Sequence, residues 1–121
     1  MEKYTSENLL EALKVVDSTI SKCEKMQPKF SEGTSQHSLL KNRIKSLYIS
    51  KALITDKCDT AQYSIEELND SLKPIVSIIN KCVSGQRKHE VEDVQYKRFQ
   101  KLIDAMDICK ILITNEIVKR G

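Results

Sequence analysis

The residue types best suited to catalysis or metal binding are few in this sequence and are not clustered. They are Cys23, Cys58, Cys82, Cys109, His37 and His89. The cysteines lack the C-x-x-C spacing of zinc sites and thioredoxin-like redox pairs. The histidines form neither the H-E-x-x-H nor the paired E-x-x-H pattern of metal-binding helices. The sequence therefore predicts no catalytic residue, no metal site and no cofactor, and leaves open an enzyme assembled from scattered residues.

Charge offers a second kind of chemistry, the attraction of anions. The chain has 20 basic and 17 acidic residues and a net charge of +3, which is milder than a dedicated nucleic-acid-binding domain usually carries. Six basic residues nevertheless surround the predicted ends of two helices, and we call them the basic tip: Lys22, Lys25, Lys29, Lys81, Arg87 and Lys88. Such a tip would attract an acidic protein surface, a nucleic-acid backbone or anionic lipid headgroups. The plainer alternative is that these charges only complement helix dipoles.

One stretch of the chain occurs twice. Residues 6–57 align with residues 65–116 without a gap at a constant offset of 59, and 17 of the 52 aligned pairs are identical. The matches include cysteine, glutamine, serine and threonine, so a biased composition does not account for them. The alignment therefore predicts the duplication of one supersecondary unit.

Several polar residues recur between the two copies. The pairs are Lys14 with Lys73, Ser18 with Ser77, Lys22 with Lys81, and Lys51 with Lys110. The first three pairs have the i, i+4, i+8 spacing of one helix face. This face is either a solvated surface kept from a common ancestor or two copies of a partner-binding surface. Lys51 and Lys110 interrupt apolar stripes, and we expect buried stems with the ammonium groups in water. The alternative is a buried charge that pairs with an acid or a ligand.

The cysteines are expected to be reduced thiols in the cytoplasm, where disulfides are rare. As thiols they would act as small core residues. Cys23 and Cys82 occupy equivalent positions in the two copies, so a functional pair formed by their approach is the alternative.

The first copy contains two predicted helices. The first begins after a cap at Thr5 or Ser6 and ends just before Pro28, because proline disfavours helical geometry in the residue before it. The second covers about residues 36–55. Residues 57–63 contain no glycine or proline, so a continuation of this helix into them is left open.

The second copy contains two more predicted helices. Ser64, with an acid three residues later, has the form of a capping box and predicts the start of helix 3. Pro74 predicts a kink, or a later start near residue 71. Gly85 is expected to cap the helix end, and helix 4 is expected to start within residues 91–93.

Each copy is therefore a predicted helical hairpin. Two hairpins can bury their apolar sides against each other, which predicts an all-α, antiparallel, up-and-down four-helix bundle built from two homologous hairpins. We expect one domain over residues 1–121, with hairpins at about 6–57 and 65–117 and a linker at about 58–64. The basic tip would then lie at one end. The other end would hold Glu7, Glu11, Asp56, Asp59, Glu66, Glu67 and Asp70.

The expected function is a small, non-catalytic interaction or regulatory protein. It would bind an acidic or apolar protein surface through the basic tip and the broad apolar side of helix 4. A nucleic-acid-binding accessory protein is the first alternative, and a ligand-binding bundle or enzyme that uses Lys51, Lys110 and the cysteines is the second. A second copy of the chain is a further candidate partner. No apolar run has the length of a membrane span and no signal peptide is evident, so a cytoplasmic location is expected.

Overall fold

The computed structural model describes residues 4–55 and 63–120, and over those residues the secondary structure is helical with no strand. The four α-helices are α1 (Ser6–Met26), α2 (Ser35–Ile54), α3 (Ile65–Gln86) and α4 (Val94–Arg120), with a short 3₁₀ helix (Gln27–Lys29) after α1. The predicted all-α class is confirmed. The starts of α1 and α3 are offset by 59 residues, and so are the starts of α2 and α4.

Local capping explains where the helices begin. Thr5 caps α1, and its hydroxyl accepts a 3.0 Å hydrogen bond from the backbone N–H of Asn8. Ser64 caps α3 in a capping box in which Glu67 donates its backbone N–H to the serine and accepts the serine N–H, both at 3.0 Å. These bonds satisfy amide groups that a helix start otherwise leaves unpaired. The expected cap at Ser64 is confirmed.

The ends of the first two helices also follow local signals. α1 ends at Met26, and Pro28 lies in the 3₁₀ helix that continues from it. Gly33 then has a φ of 89°, a left-handed conformation that glycine adopts without strain. α2 ends at Ile54 with Thr55 as its C-cap. The continuation of α2 into residues 57–63 lies largely outside the described residues.

Pro74 lies inside α3, which runs without interruption from Ile65 to Gln86. The alternative of a helix start near residue 71 was therefore wrong. Proline has no N–H, so the carbonyl of Asp70, four residues earlier, lacks its usual helical donor. An interior proline typically costs about 3 kcal/mol of helix stability, which the packing of the rest of α3 must offset.

Gly85 is not the C-cap that the sequence predicted. It lies within the last turn of α3, and the cap is Arg87. A Cβ atom at position 85 would lie 2.7 Å from Cζ of Phe99 on α4. The glycine therefore permits the close approach of an aromatic ring rather than a left-handed helix end.

The core is formed by apolar side chains from all four helices. Its largest fully buried members are Val16, Leu47, Ile49, Leu68, Ile75, Met106, Cys109 and Ile113. Complete burial of one aliphatic side chain of this size contributes about 1.5–3 kcal/mol. Burial of these apolar side chains in one shared core is the main contribution that holds the two halves of the chain together.

The helices pack as a bundle. α1 and α3 each pack against α2 and α4, and α2 also contacts α4 across the centre. The Cα atoms of α1 and α3 are nowhere within 8 Å of each other. Small side chains allow the close approach of α2 to α4. They are Ser46 and Ser50 of α2 and Ala105 and Cys109 of α4, and all four are buried. The sequence predicted a single buried stripe on α2 and did not show this second contact.

Candidate functional site

The basic tip consists of side chains that are exposed and not neutralised. Lys22 and Lys25 lie at the end of α1, Lys29 in the 3₁₀ helix, and Lys81 near the end of α3. Arg87 and Lys88 follow α3 directly. All six are exposed. Within the described part of the chain, none of the six forms an ion pair.

Two buried thiols lie close in sequence to these lysines. Burial raises the pKa of Cys23 on α1, and the positive charges of Arg43 and Lys81 oppose that shift. Burial likewise raises the pKa of Cys82 on α3, opposed by Lys81 and Arg43. The charge of Lys81 on α3 therefore acts on a thiol of α1 as well as on its own neighbour.

Exposed apolar residues accompany these charges. Met26 follows Lys25 at the end of α1 and is 46% exposed. Val91 and Val94, in the α3–α4 connector and the first turn of α4, are 63% and 64% exposed. Large apolar side chains interspersed with cations are typical of surfaces that contact another molecule.

The connector that carries Arg87 and Lys88 is held in place by hydrogen bonds. The Gln86 side chain, which is buried, donates to the backbone oxygen of Tyr96 at 3.3 Å and to Gln100 Oε1 at 2.8 Å. The backbone N–H of Lys88 bonds to the Gly85 carbonyl at 3.2 Å. The cations therefore project from an ordered turn, so less conformational freedom would be lost on binding.

The recurring polar residues have different surroundings in the two copies. Lys51 is half-buried and pairs with Asp17 at 2.9 Å, and this hydrogen bond raises the pKa of the lysine. Lys110, its equivalent, is exposed and makes no ion pair with a described residue. Lys51 is thus partly exposed and paired with an acid, whereas Lys110 is exposed as a whole residue.

Two other recurring pairs differ in the same way. Lys14 is exposed and lies 3.8 Å from Glu11, whereas Lys73 is exposed at a groove between α2 and α3. Ser18 is exposed, whereas Ser77 accepts a 3.2 Å hydrogen bond from Arg43 Nη2. These positions recur in sequence without recurring in their contacts.

The cysteines are core residues rather than a reactive pair. Cys23, Cys82 and Cys109 are free and buried, and burial raises the pKa of Cys109 to about 11. Cys23 and Cys82 lie on helices whose Cα atoms stay more than 8 Å apart, which is too far for a disulfide without movement of the backbone. Cys58 lies outside the described residues. No group of three metal-ligating side chains occurs within residues 4–55 and 63–120.

The histidines lie in the first turn of α2 (His37) and in the α3–α4 connector (His89). His89 is 3.7 Å from Asp93, and its ring centroid is 6.1 Å from that of Phe99. His37 donates its backbone N–H to the Thr34 cap at 3.2 Å. Both histidines are half-buried, and each contacts residues of its own hairpin.

Arg43 is a polar residue for which no site was predicted. Its Nη2 bonds to Ser77, while its Nε is buried without a hydrogen-bond partner among the described residues. The signal was present in the repeat, because the equivalent position in the second copy holds Leu102. A charge at a position that tolerates leucine indicates that the two copies have diverged there.

The described residues define an all-α protein with four α-helices, in which six basic residues at or near helix ends are exposed. Comparison of the chain with protein-family models, curated proteins and solved structures finds no match. None of the helices over the described ranges combines the length and apolar character needed to cross a membrane.

Proposed function

We propose that this chain is a small, non-catalytic interaction protein whose basic tip binds an acidic protein surface that also carries apolar side chains. The observation that carries the proposal is the combination of six exposed basic residues, which form no ion pair with a described carboxylate, with the exposed Met26, Val91 and Val94. Charges with no internal partner are free to steer and orient a partner of opposite sign. The apolar residues would supply the desolvated contacts that most interfaces need.

Helix α4 contributes to this surface mainly through its first turn. Val94 is exposed there, whereas Ile108 and Leu112 pack against the core. The broad apolar side of α4 is thus largely used inside the bundle. We place the partner at the end of the bundle that holds the α3–α4 connector.

The proposal includes an antiparallel, up-and-down arrangement of the helices. Tyr48 of α2 donates a 2.9 Å hydrogen bond to Glu24 of α1. Lys51, one turn further along α2, bonds to Asp17, which lies earlier on α1. The reversed order of these contacts supports opposite directions for α1 and α2.

We also propose that the two hairpins descend from one duplicated unit. The gapless alignment and the equal offset of 59 between corresponding helix starts support this origin. A core to which both copies contribute supports the proposal of a single domain over residues 1–121. The free thiols at Cys23, Cys82 and Cys109 support a cytoplasmic location, where such thiols stay reduced.

Charge reversal tests the interaction. The variant Lys25→Glu/Arg87→Glu changes two residues of the basic tip, and Lys110→Glu/Lys119→Glu makes the same charge change elsewhere. The pairs are matched, because all four residues are exposed and Lys25 and Lys119 each lie in the last turn of a helix. Immobilised wild-type and variant proteins would be incubated with cell lysate, with and without nuclease, and bound proteins identified by mass spectrometry.

We expect one or more proteins to bind the wild type and the Lys110/Lys119 variant after nuclease treatment, and to bind the Lys25/Arg87 variant about tenfold more weakly or worse. Equal binding to both variants would refute the proposed surface. Recovery only without nuclease, with affinity falling steeply as salt rises, would favour the nucleic-acid alternative. Capture of the same chain would identify a homodimer.

A further inference from the structure

A groove runs along the seam between α2 and α3, separate from the residues of the basic tip. Its volume is about 480 Å³, within the range of small-molecule sites. Leu39 and Ile49 of α2 and Pro74 of α3 give it apolar walls. Ser46 and Ser71, both buried, lie at its floor.

Hydrogen-bond acceptors at one part of this groove are unused. Asp70 lines the groove, and its carboxylate forms no ion pair with the described residues, while its backbone carbonyl lacks the donor that Pro74 cannot supply. The Ser46 side chain, at the floor of the groove, is only 1% exposed.

Donors lie further along the same groove. Lys73 is exposed, lines the groove and has no acidic partner among the described residues. Ser77, one turn further on, holds Arg43 through its 3.2 Å hydrogen bond. The other charged pair of the groove, Lys45 with Glu67 at 3.0 Å, already neutralises itself. Among the described residues, one carboxylate and one ammonium group of this groove therefore remain without an ion pair, three residues apart on α3.

A second groove in the same molecule shows what the fold requires at these positions. It lies between α1 and α4, has a volume of about 220 Å³, and each of its lining residues is offset by 59 positions from a residue that lines the first groove. Ala12, Val15 and Ala105 of this second groove correspond to Ser71, Pro74 and Ser46 of the first. Plain apolar residues thus suffice to build the seam, so the serines and the proline are not demanded by packing.

We infer that the α2–α3 groove binds a small zwitterion, an amino carboxylic acid whose ammonium and carboxylate are separated by a short apolar chain. The ammonium would donate to the Asp70 carboxylate and carbonyl and to the Ser46 hydroxyl. The carboxylate would accept from Lys73 at the end of the groove where Ser77 holds Arg43. The intervening methylene groups would contact Leu39 and Pro74.

The test uses 5-aminopentanoate as the probe, with pentylamine and pentanoate as its two half-molecules. Binding to the full-length protein would be measured by amide chemical shifts and by calorimetry. We expect the zwitterion to bind at least about tenfold more tightly than either half, because only it satisfies both charges. Shifts should be confined to α2 and α3.

Variants assign the two ends of the ligand. Asp70→Asn should weaken binding of the zwitterion and of pentylamine about tenfold and leave binding of pentanoate unchanged. Lys73→Gln should weaken binding of the zwitterion and of pentanoate and leave binding of pentylamine unchanged. The double variant Ser46→Ala/Ser71→Ala introduces the alanines that occupy the equivalent positions of the second groove, so it should fold. It should weaken binding of the zwitterion and of pentylamine, which both carry the ammonium group. Glu11→Gln, the equivalent of Asp70 in the α1–α4 groove, is the matched control and should not change binding.

Several results would overturn the inference. They are equal binding of the zwitterion and one half-molecule, shifts shared by both grooves, an unchanged affinity in Asp70→Asn, or no binding at about 10 mM probe, a concentration that would detect even millimolar affinity. These outcomes do not bear on the basic tip, so this site and the proposed interaction stand or fall separately.

Discussion

Substitution of Gly85 by alanine tests the packing of α3 on α4. The added Cβ would lie 2.7 Å from Cζ of Phe99 and 3.1 Å from both ring Cε atoms, which is closer than carbon atoms approach without repulsion. Phe99 is half-buried and also packs near His89. The ring or the helix must therefore shift to accept the methyl group.

Two opposing terms set the expected size of the effect. Alanine favours a helix interior over glycine by about 0.8–1 kcal/mol, while overpacking typically costs about 1–3 kcal/mol. We expect the contact to dominate, with a net loss of about 1 kcal/mol in the free energy of unfolding. For a chain of this size that corresponds to a fall of about 4 °C in the unfolding temperature.

A double-mutant cycle with Phe99→Leu isolates the contact. In the Phe99→Leu background the clash is removed, so Gly85→Ala should stabilise the protein by about 0.5–1 kcal/mol. Urea denaturation of the four proteins would measure both values. If Gly85→Ala destabilises equally in both backgrounds, the glycine is needed for its backbone conformation and the packing argument is wrong. Gly33→Ala provides the comparison, because its φ of 89° and open surroundings predict a loss that no second substitution restores.

Three further predictions concern the core. Because the unfolded thiol ionises near pH 9 and the buried Cys109 only near 11, the free energy of unfolding should fall by up to about 2–3 kcal/mol as pH rises from 9 to 11. Cys109→Ala should remove that part of the pH dependence in calorimetric scans, and an identical slope in both proteins would exclude it. Leu47→Ala, at a fully buried position, should cost about 2–5 kcal/mol in urea denaturation. The exposed control Leu39→Ala should cost less than about 1 kcal/mol, and similar losses would contradict the assigned core. Residues 1–60 alone, without α3 and α4 to cover that core, should be poorly folded or self-associate by circular dichroism and size-exclusion chromatography; a stable monomeric hairpin would disprove the shared core.

Features that depend on neighbouring residues were predictable from the sequence. The capping box at Ser64 needs only Glu67, three residues away, and the end of α1 needs only Pro28. The basic tip was predictable in part, because lysines at helix ends outside an apolar stripe are expected to be exposed. Whether those lysines had acidic partners was not predictable, since this depends on which helices become neighbours.

Contacts between residues that are distant in sequence were not predicted, or were predicted wrongly. Gly85 has the sequence signature of a helix cap, yet its role depends on Phe99 on another helix. Arg43 meets Ser77 across 34 positions of chain, and no local pattern on α2 shows that contact. The alternative of a Cys23–Cys82 pair fails for the same reason: equivalence in sequence does not set the distance between α1 and α3.

The Nε of Arg43, which is buried without a hydrogen-bond partner among the described residues, has a practical consequence for engineering this protein. A buried donor without an acceptor lowers stability by about 1–3 kcal/mol, and the other half of the chain already offers a replacement in Leu102. Arg43→Leu is thus a consensus substitution drawn from the protein's own sequence rather than from relatives. Each hairpin can serve as a template for thermostabilising the other, leaving the exposed basic residues untouched.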